Sequence, residues 1–242
     1  MKKYPINEIF LSHQGEGPDA GRPVIFIRFS GCNLNCSFCD TDHTDHEELS
    51  AEEIRIRTIE CGGSGRDRPV RTRIIFTGGE PLLHLDIQLI EELSIDNRYD
   101  FGIETNGDQS IFRDKEHEQE LAYVLLALTQ VVVSPKTMNY STTILRNADV
   151  VKFLVPHDHL SARDMEEVMA VAEGKGLARK PAIKMYLQPL TPSEDLARQS
   201  AYTVDQHWKR NCDIAIAWSL RWLEEGRTVY VLPQIHRIME IR

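Results

Sequence analysis

Residues 73–107 read "RIIFTGGEPLLHLDIQLIEELSIDNRYDFGIETNG". The runs "RIIFTGG" (73–79) and "YDFGIET" (99–105) are rich in β-branched and aromatic residues and end in polar, glycine-bearing turns, so both read as strands. "HLDIQLIEELS" (84–94) between them reads as a helix. A strand, a helix and a second strand in so short a span predict a β-α-β unit with parallel strands and a right-handed crossover.

The unit repeats outward in both directions. "PVIFIRF" (23–29) precedes it, and "QVVVSPK" (130–136), "VVKFLVP" (150–156) and "AIKMYLQP" (182–189) follow, with "RTVYVLP" (227–233) as a possible seventh strand. These runs are almost continuously apolar, as strands covered on both faces tend to be. Helices are predicted at 50–60, where Ser50 and Glu53 form a capping-box pattern, and at 116–129 and 161–176. Another is expected at 193–210, capped by Ser193, while the Gly- and Arg-rich segment from Cys61 to Arg73 reads as loop. Six units are fewer than the eight of a closed barrel. The expected fold is therefore α/β, a partial (β/α)6 TIM-like barrel with a mainly parallel sheet. No repeat, low-complexity tract or linker interrupts residues 1–242, so a single domain is expected.

The totals narrow the function. The chain has 242 residues, 41% of them apolar, and a formal charge of −9. It lacks the basic footprint of a nucleic-acid binder, so a small-molecule substrate is the better expectation. No apolar run is long enough to span a bilayer and no export signal follows "MKKYPINEIF". Five cysteines, three of them clustered, do not make a secreted disulfide framework, so a reducing cytoplasm is the expected setting.

If the sheet is parallel, the strand-end segments "FSGC", "FTGGEP", "IETNG", "VVSPK" and "YLQPLTP" converge on one rim, where an active site belongs. The first leads into Cys32, Cys36 and Cys39, spaced Cys-x3-Cys-x2-Cys. Three thiolates leave a metal centre one position open, and an iron–sulfur cube held by three cysteines has one iron without a protein ligand. A structural zinc site completed by His43 or His46, a disulfide with a spare thiol, or plain packing cysteines are the alternatives these residues leave open.

The spacing, with Phe38 before the last cysteine, resembles the cluster loop of the radical S-adenosylmethionine superfamily, and Thr77-Gly78-Gly79-Glu80-Pro81 resembles that superfamily's "GGE" motif. The resemblance implies a [4Fe-4S] cluster on Cys32, Cys36 and Cys39. The amino and carboxylate groups of S-adenosyl-L-methionine would chelate the open iron. One electron would then release a 5′-deoxyadenosyl radical that abstracts a hydrogen, while the protein orients the parts.

A closer resemblance is to the 7-carboxy-7-deazaguanine synthases of queuosine biosynthesis. "YPINEIFLSHQGEG", "GRPVIFIRFSGCNLNCSFCDT", "FTGGEP", "IETNG", "VVVSPK" and "LQPL" all occur in that family's order. It implies ring contraction of 6-carboxy-5,6,7,8-tetrahydropterin with loss of ammonia, Mg2+ held by Thr41, a homodimer, and a flavodoxin-type electron donor. A glycyl-radical activase and a zinc-stabilised binding domain are the rival functions.

Site residues carry over by position. Arg28 offers a planar fork to the substrate carboxylate, and His13, Gln14, Gly15 and Glu16 suit the polar edges of a pterin. Thr77 is expected at the substrate. Phe38, Cys39, Asp40, Gly79 and Glu80 are expected at S-adenosylmethionine. Glu104 and Asn106 are expected at its ribose or methionyl group, Ser134, Pro135 and Lys136 at its adenosine, and Gln188, Pro189, Leu190 and Thr191 as the far wall. Pro233, Gln234 and His236 are expected to close the substrate side. No side chain is assigned as a protein acid or base, and Cys61 and Cys212 match no motif.

Overall fold

A computed structural model describes residues 2–39, 44–62, 71–156, 160–174, 182–190 and 203–235. All seven apolar runs are strands: β2 (Pro23–Phe29), β4 (Thr72–Gly78), β5 (Tyr99–Thr105), β6 (Gln130–Val133), β7 (Val150–Val155), β8 (Lys184–Pro189) and β9 (Val229–Val231). They pair in parallel in the order in which they occur, β2-β4-β5-β6-β7-β8-β9. A doubly wound sheet reverses its strand order at a switch point. This one does not, so it is the open, partial barrel, extended past six units by β9.

Two further strands went unread in the sequence. β1 (Tyr4–His13) runs antiparallel to β2, and the short β3 (Glu47–Leu49) runs antiparallel to β1. β1 carries Pro5, and its register to β2 shifts between Ile6 and Glu8. A bulge there breaks the alternation that would have marked a strand.

The helices follow their caps. α1 (Ala51–Gly62) opens on the expected box, with Ser50 N donating to Glu53 Oε2 at 2.7 Å and Glu53 N to Ser50 Oγ at 3.3 Å. α2 (Ile87–Ser94), α3 (Lys115–Ala127) and α5 (Ala162–Glu173) are capped by Asp86, Asp114 and Ser161. α4 (Thr142–Arg146) is a short helix not foreseen. α6 (Val204–Glu224) starts on Thr203 and runs well past the expected end at 210; the expected cap Ser193 lies outside the described residues.

Strand side chains alternate between faces. One parity, including Ile25, Ile27 and Phe29 of β2, Ile74 and Phe76 of β4, and Val151, Phe153 and Val155 of β7, packs in the main core with Leu89, Leu121, Met165 and Trp222 of the helices. The other parity faces the barrel interior. There Val24, Phe26 and Ile75 form one small apolar cluster with Phe10, and Val132, Val150 and Tyr186 form another with Leu232. At the amino ends of the strands Arg73 pairs with Asp19 and, at 2.7 Å, with Asp100. Toward the carboxyl ends the same parity brings up Arg28, Thr77, Glu104, Lys152 and Gln188. The interior thus runs from a charged cluster at the amino ends of the strands through an apolar middle to a polar carboxyl end, and that end is open.

Candidate active site

A cavity of about 990 Å³ occupies that open end, the upper limit of ordinary small-molecule sites. Its wall includes all six residues expected at the substrate: His13, Gln14, Gly15, Glu16, Arg28 and Thr77. Cys32, Cys36, Phe38 and Cys39 face it from the loop after β2, and Gly79, Glu104, Asn106, Ser134, Lys136 and Leu190 from later strand ends. Glu80, Pro135, Gln188 and Pro189 lie behind the wall rather than in it, while Gln234 lines it. Asp40, Thr41, Thr191 and His236, with the rival ligand His43, lie outside the described residues.

The cysteine loop is built onto β4 through two glycines. Gly79 N donates to Phe29 O at 3.1 Å, and Glu80 N to Gly31 O at 2.9 Å. Gly78 has φ +123, and a Cβ on it would lie 2.1 Å from Phe29 O. The first physical need for Gly-Gly is therefore backbone-to-backbone contact with the cysteine loop. Glu80 is fully buried and accepts from Leu82 N at 3.0 Å, Thr105 Oγ1 at 2.7 Å and Asn106 N at 2.8 Å. Burial pushes its pKa up to about 7 despite these donors. It ties the ends of β4 and β5 together beneath the cavity.

Around the thiols, Asn106 Nδ2 donates to Asn33 Oδ1 at 2.9 Å and lies 4.0 Å from Cys32 Sγ. Lys136 Nζ donates to Ser134 Oγ at 2.9 Å and sits 5.6 Å from the centre of the Phe38 ring, a cation–π distance. Burial pushes the Cys32 and Cys36 thiols up in the metal-free chain, and the Lys136 charge opposes this at Cys36. Among the described residues, these cysteines included, no three His, Cys, Asp or Glu side chains gather as a group that could hold a metal ion.

The lining also holds a network of carboxylates and their partners. Glu104 accepts from Gln14 Nε2 at 2.9 Å and Thr77 Oγ1 at 3.0 Å. Glu16 is paired with Lys152 of β7 and accepts from Gln188 Nε2 at 2.6 Å and Gln234 Nε2 at 3.2 Å. Burial works to raise the Glu16 pKa, but the Lys152 charge and these hydrogen bonds outweigh it and hold the carboxyl well below the usual carboxylate range. Arg28 donates from Nε to Glu8 Oε1 at 2.8 Å across the β1–β2 ladder and lies over the Phe10 ring. Glu8, Phe10 and Lys152 line the cavity without having been singled out in the sequence. The β1 residues were hidden by the unread strand, and Lys152 by the apolar run around it.

Comparison with known proteins decides the family. A profile described as the Radical SAM superfamily matches residues 26–173. The 7-carboxy-7-deazaguanine synthase of Escherichia coli is 30% identical over 228 residues, covering 86% of this chain and 94% of that one. The chain belongs to the 7-carboxy-7-deazaguanine synthase family of the radical SAM superfamily. The protein of that name from Bacteroides thetaiotaomicron is 46% identical over 106 residues, covering 44% of this chain and 53% of its own length. A crystal structure of QueE from Escherichia coli superposes with a TM-score of 0.63 at 24% identity, covering 97% of this chain and 95% of that one, which shows the shared fold. Radical SAM enzymes carry a [4Fe-4S] cluster and S-adenosylmethionine, and this donor set fits them. Three thiols come from one loop, an amide N–H₂ stands near one sulfur, and the glycine seam beneath leaves no room for a side chain. No helix among the described residues is long and apolar enough to cross a membrane.

Proposed function

We propose that the chain acts as a 7-carboxy-7-deazaguanine synthase, contracting the ring of 6-carboxy-5,6,7,8-tetrahydropterin to 7-carboxy-7-deazaguanine with loss of ammonia. The observation that carries this reading is one cavity lined both by the three-cysteine loop and by Glu16, Glu104 and the Arg28 guanidinium. A carboxylated heterocycle with N–H and amine groups matches that layout: acceptors for its donors, and a cation for its carboxylate.

Cys32, Cys36 and Cys39 hold the cluster in this account. Bound together, the cluster and S-adenosylmethionine supply the radical that removes hydrogen from the substrate. Gly79 gives the methionyl end a close backbone approach, and Ser134, Lys136 and Phe38 border the adenosine. Glu104, fixed by Gln14 and Thr77, stands between the two ligands. Arg28 takes the substrate carboxylate and Glu16 its donor edge, so the reacting carbon is held from both sides; such orientation is a large share of what an enzyme contributes. No side chain is needed as general acid or base for the hydrogen abstraction.

Mg2+ at Thr41, pairing into a homodimer, and delivery of the electron by a flavodoxin-type protein docking near residues 41–73 complete the proposal. The relatives compared above favour this reading over the rival activase. The test is to incubate reduced, cluster-loaded protein with S-adenosylmethionine, Mg2+ and the carboxytetrahydropterin. Deazaguanine product with an equal amount of ammonia, formed only when S-adenosylmethionine is present, supports the proposal; cleavage of S-adenosylmethionine with no new heterocycle sinks it.

A further inference from the structure

β7 reads "VVKFLV", is buried throughout, and carries one charge, Lys152. The Lys152 side chain is 9% exposed and its partner Glu16 is 15% exposed. A buried ion pair is weak evidence for stability, because desolvation consumes most of the attraction. Its value has to be sought elsewhere, and the lone pairs of Glu16 show where.

A carboxylate offers about four acceptor directions. Glu16 Oε1 is used twice, by Gln188 Nε2 and Gln234 Nε2, and Oε2 once, by Lys152. One direction on Oε2 remains, on a side chain that lines the cavity. The Gln188 amide cannot be turned over, since its oxygen would then face a carboxylate that only accepts. Its Oε1 is therefore left, alone among buried side-chain nitrogen and oxygen atoms of the described residues, without a hydrogen-bond partner. Glu16 Oε2 thus offers the cavity one unfilled acceptor direction, with Lys152 as its counter-charge, and Gln188 Oε1 is a second unmatched acceptor behind the wall.

We propose that Lys152 is a positioning residue for ligand selection: with Gln188 and Gln234 it fixes Glu16 as an acceptor-only carboxylate, so that this wall admits a heterocycle by its N–H and amine edge. The inference rests on the carboxytetrahydropterin reading, whose pyrimidine ring carries a ring N–H beside an exocyclic amine. Lys152 touches no reacting atom. A wall built to bond an N–H strongly rejects the analogue lacking it, because the acceptors are then left unpaired.

Removing Lys152 alone strands a buried charge and threatens the fold. The pair is therefore also removed together, in Glu16→Gln/Lys152→Met, beside the single variant Lys152→Met. The readout is the Kd of the carboxytetrahydropterin, and of its analogue without the exocyclic amine, on unreduced protein loaded with cluster and S-adenosylmethionine. The unsubstituted protein should prefer the amine-bearing ligand at least tenfold. The double variant should keep its cluster chromophore, bind that ligand at least tenfold more weakly and lose the preference. A double variant that binds and discriminates like the unsubstituted protein overturns this inference alone. A double variant unable to hold its cluster makes the pair structural and overturns it too. Failure of the unsubstituted, fully loaded protein to bind the pterin overturns the functional reading together with it.

Discussion

A Cβ on Gly79 would lie 1.9 Å from the carbonyl oxygen of Gly31, and 3.1 Å from the nitrogen of Cys32. The end of β4 and the cysteine loop are thus in direct backbone contact, with no side chain between them to yield. Gly79→Ala must push the two apart. Forced overpacking of this kind costs about 1–3 kcal/mol or more, and here the strain falls on the cluster ligands. The variant should fold but hold well under half the iron and sulfide of the unsubstituted protein after identical reconstitution. Iron analysis and the cluster absorbance check this; full loading would show that the seam does not govern the loop.

Arg28 is held by Glu8 at 2.8 Å and by the Phe10 ring, both from β1. The guanidinium is therefore oriented before any ligand arrives, which limits the entropy lost on binding. A hydrogen bond to a charged group contributes roughly 1.5–3 kcal/mol, so Arg28→Ala should raise KM for the carboxytetrahydropterin about 10- to 150-fold with the cluster intact. Glu8→Gln, which loosens the fork without deleting it, should give a smaller rise. Steady-state kinetics separates the two, and an unchanged KM in Arg28→Ala would remove it from the substrate side.

The parallel strands and their loops were legible because an apolar β-branched run ending in Gly, Pro or Asn has a direct physical meaning: a covered strand and a turn. β1 was not, since it carries Pro5 and shifts register after Ile6, so neither continuity nor alternation marks it. Its residues Glu8 and Phe10 could not then be connected to Arg28. Lys152 was hidden for the opposite reason, a single cation inside "VVKFLV" whose partner Glu16 lies 136 residues away in sequence. Gln188 is expected at the far wall of S-adenosylmethionine, and its Nε2 donates to Glu16, a partner no local pattern suggests. Such long-range pairings are set by strand order and are invisible to local pattern.

Asn106 stands with its amide nitrogen 4.0 Å from Cys32 Sγ. Hydrogen bonds to cluster sulfurs are among the factors that set reduction potentials, and a donor favours the more negative, reduced form. Asn106→Leu should shift the cluster potential downward, and redox titration followed by electron paramagnetic resonance measures it. An unmoved potential would confine Asn106 to its bond with Asn33.

Mg2+ dependence tests the part of the proposal that rests on Thr41. A hydroxyl oxygen suits a hard ion that keeps most of its waters. Chelation should depress formation of the deazaguanine product at least tenfold and be reversed by added Mg2+, and Thr41→Ala should blunt that response. Product formation indifferent to chelator would strike Mg2+ from the scheme.

Glu80 gives the site a pH signature that needs no cofactor to read. Its pKa is pushed up to about 7 from the usual 4.5 by burial. Below the unfolded value both states hold the proton and the group is neutral to stability. Between 4.5 and 7 the native state keeps a proton that the unfolded chain has released, so stability falls as pH rises, by on the order of 3 kcal/mol in all, and levels off above 7. In Glu80→Gln that slope is absent. The variant has its own penalty, because its amide N–H₂ must face one of the donors Leu82 N or Asn106 N, at about 1–3 kcal/mol. The native protein should therefore be clearly more stable than Glu80→Gln near pH 4.5, and the gap should narrow or close by pH 8. Denaturant titrations of the cluster-free forms across that range measure it, and a gap that does not change with pH would place the Glu80 carboxyl back in the ordinary range.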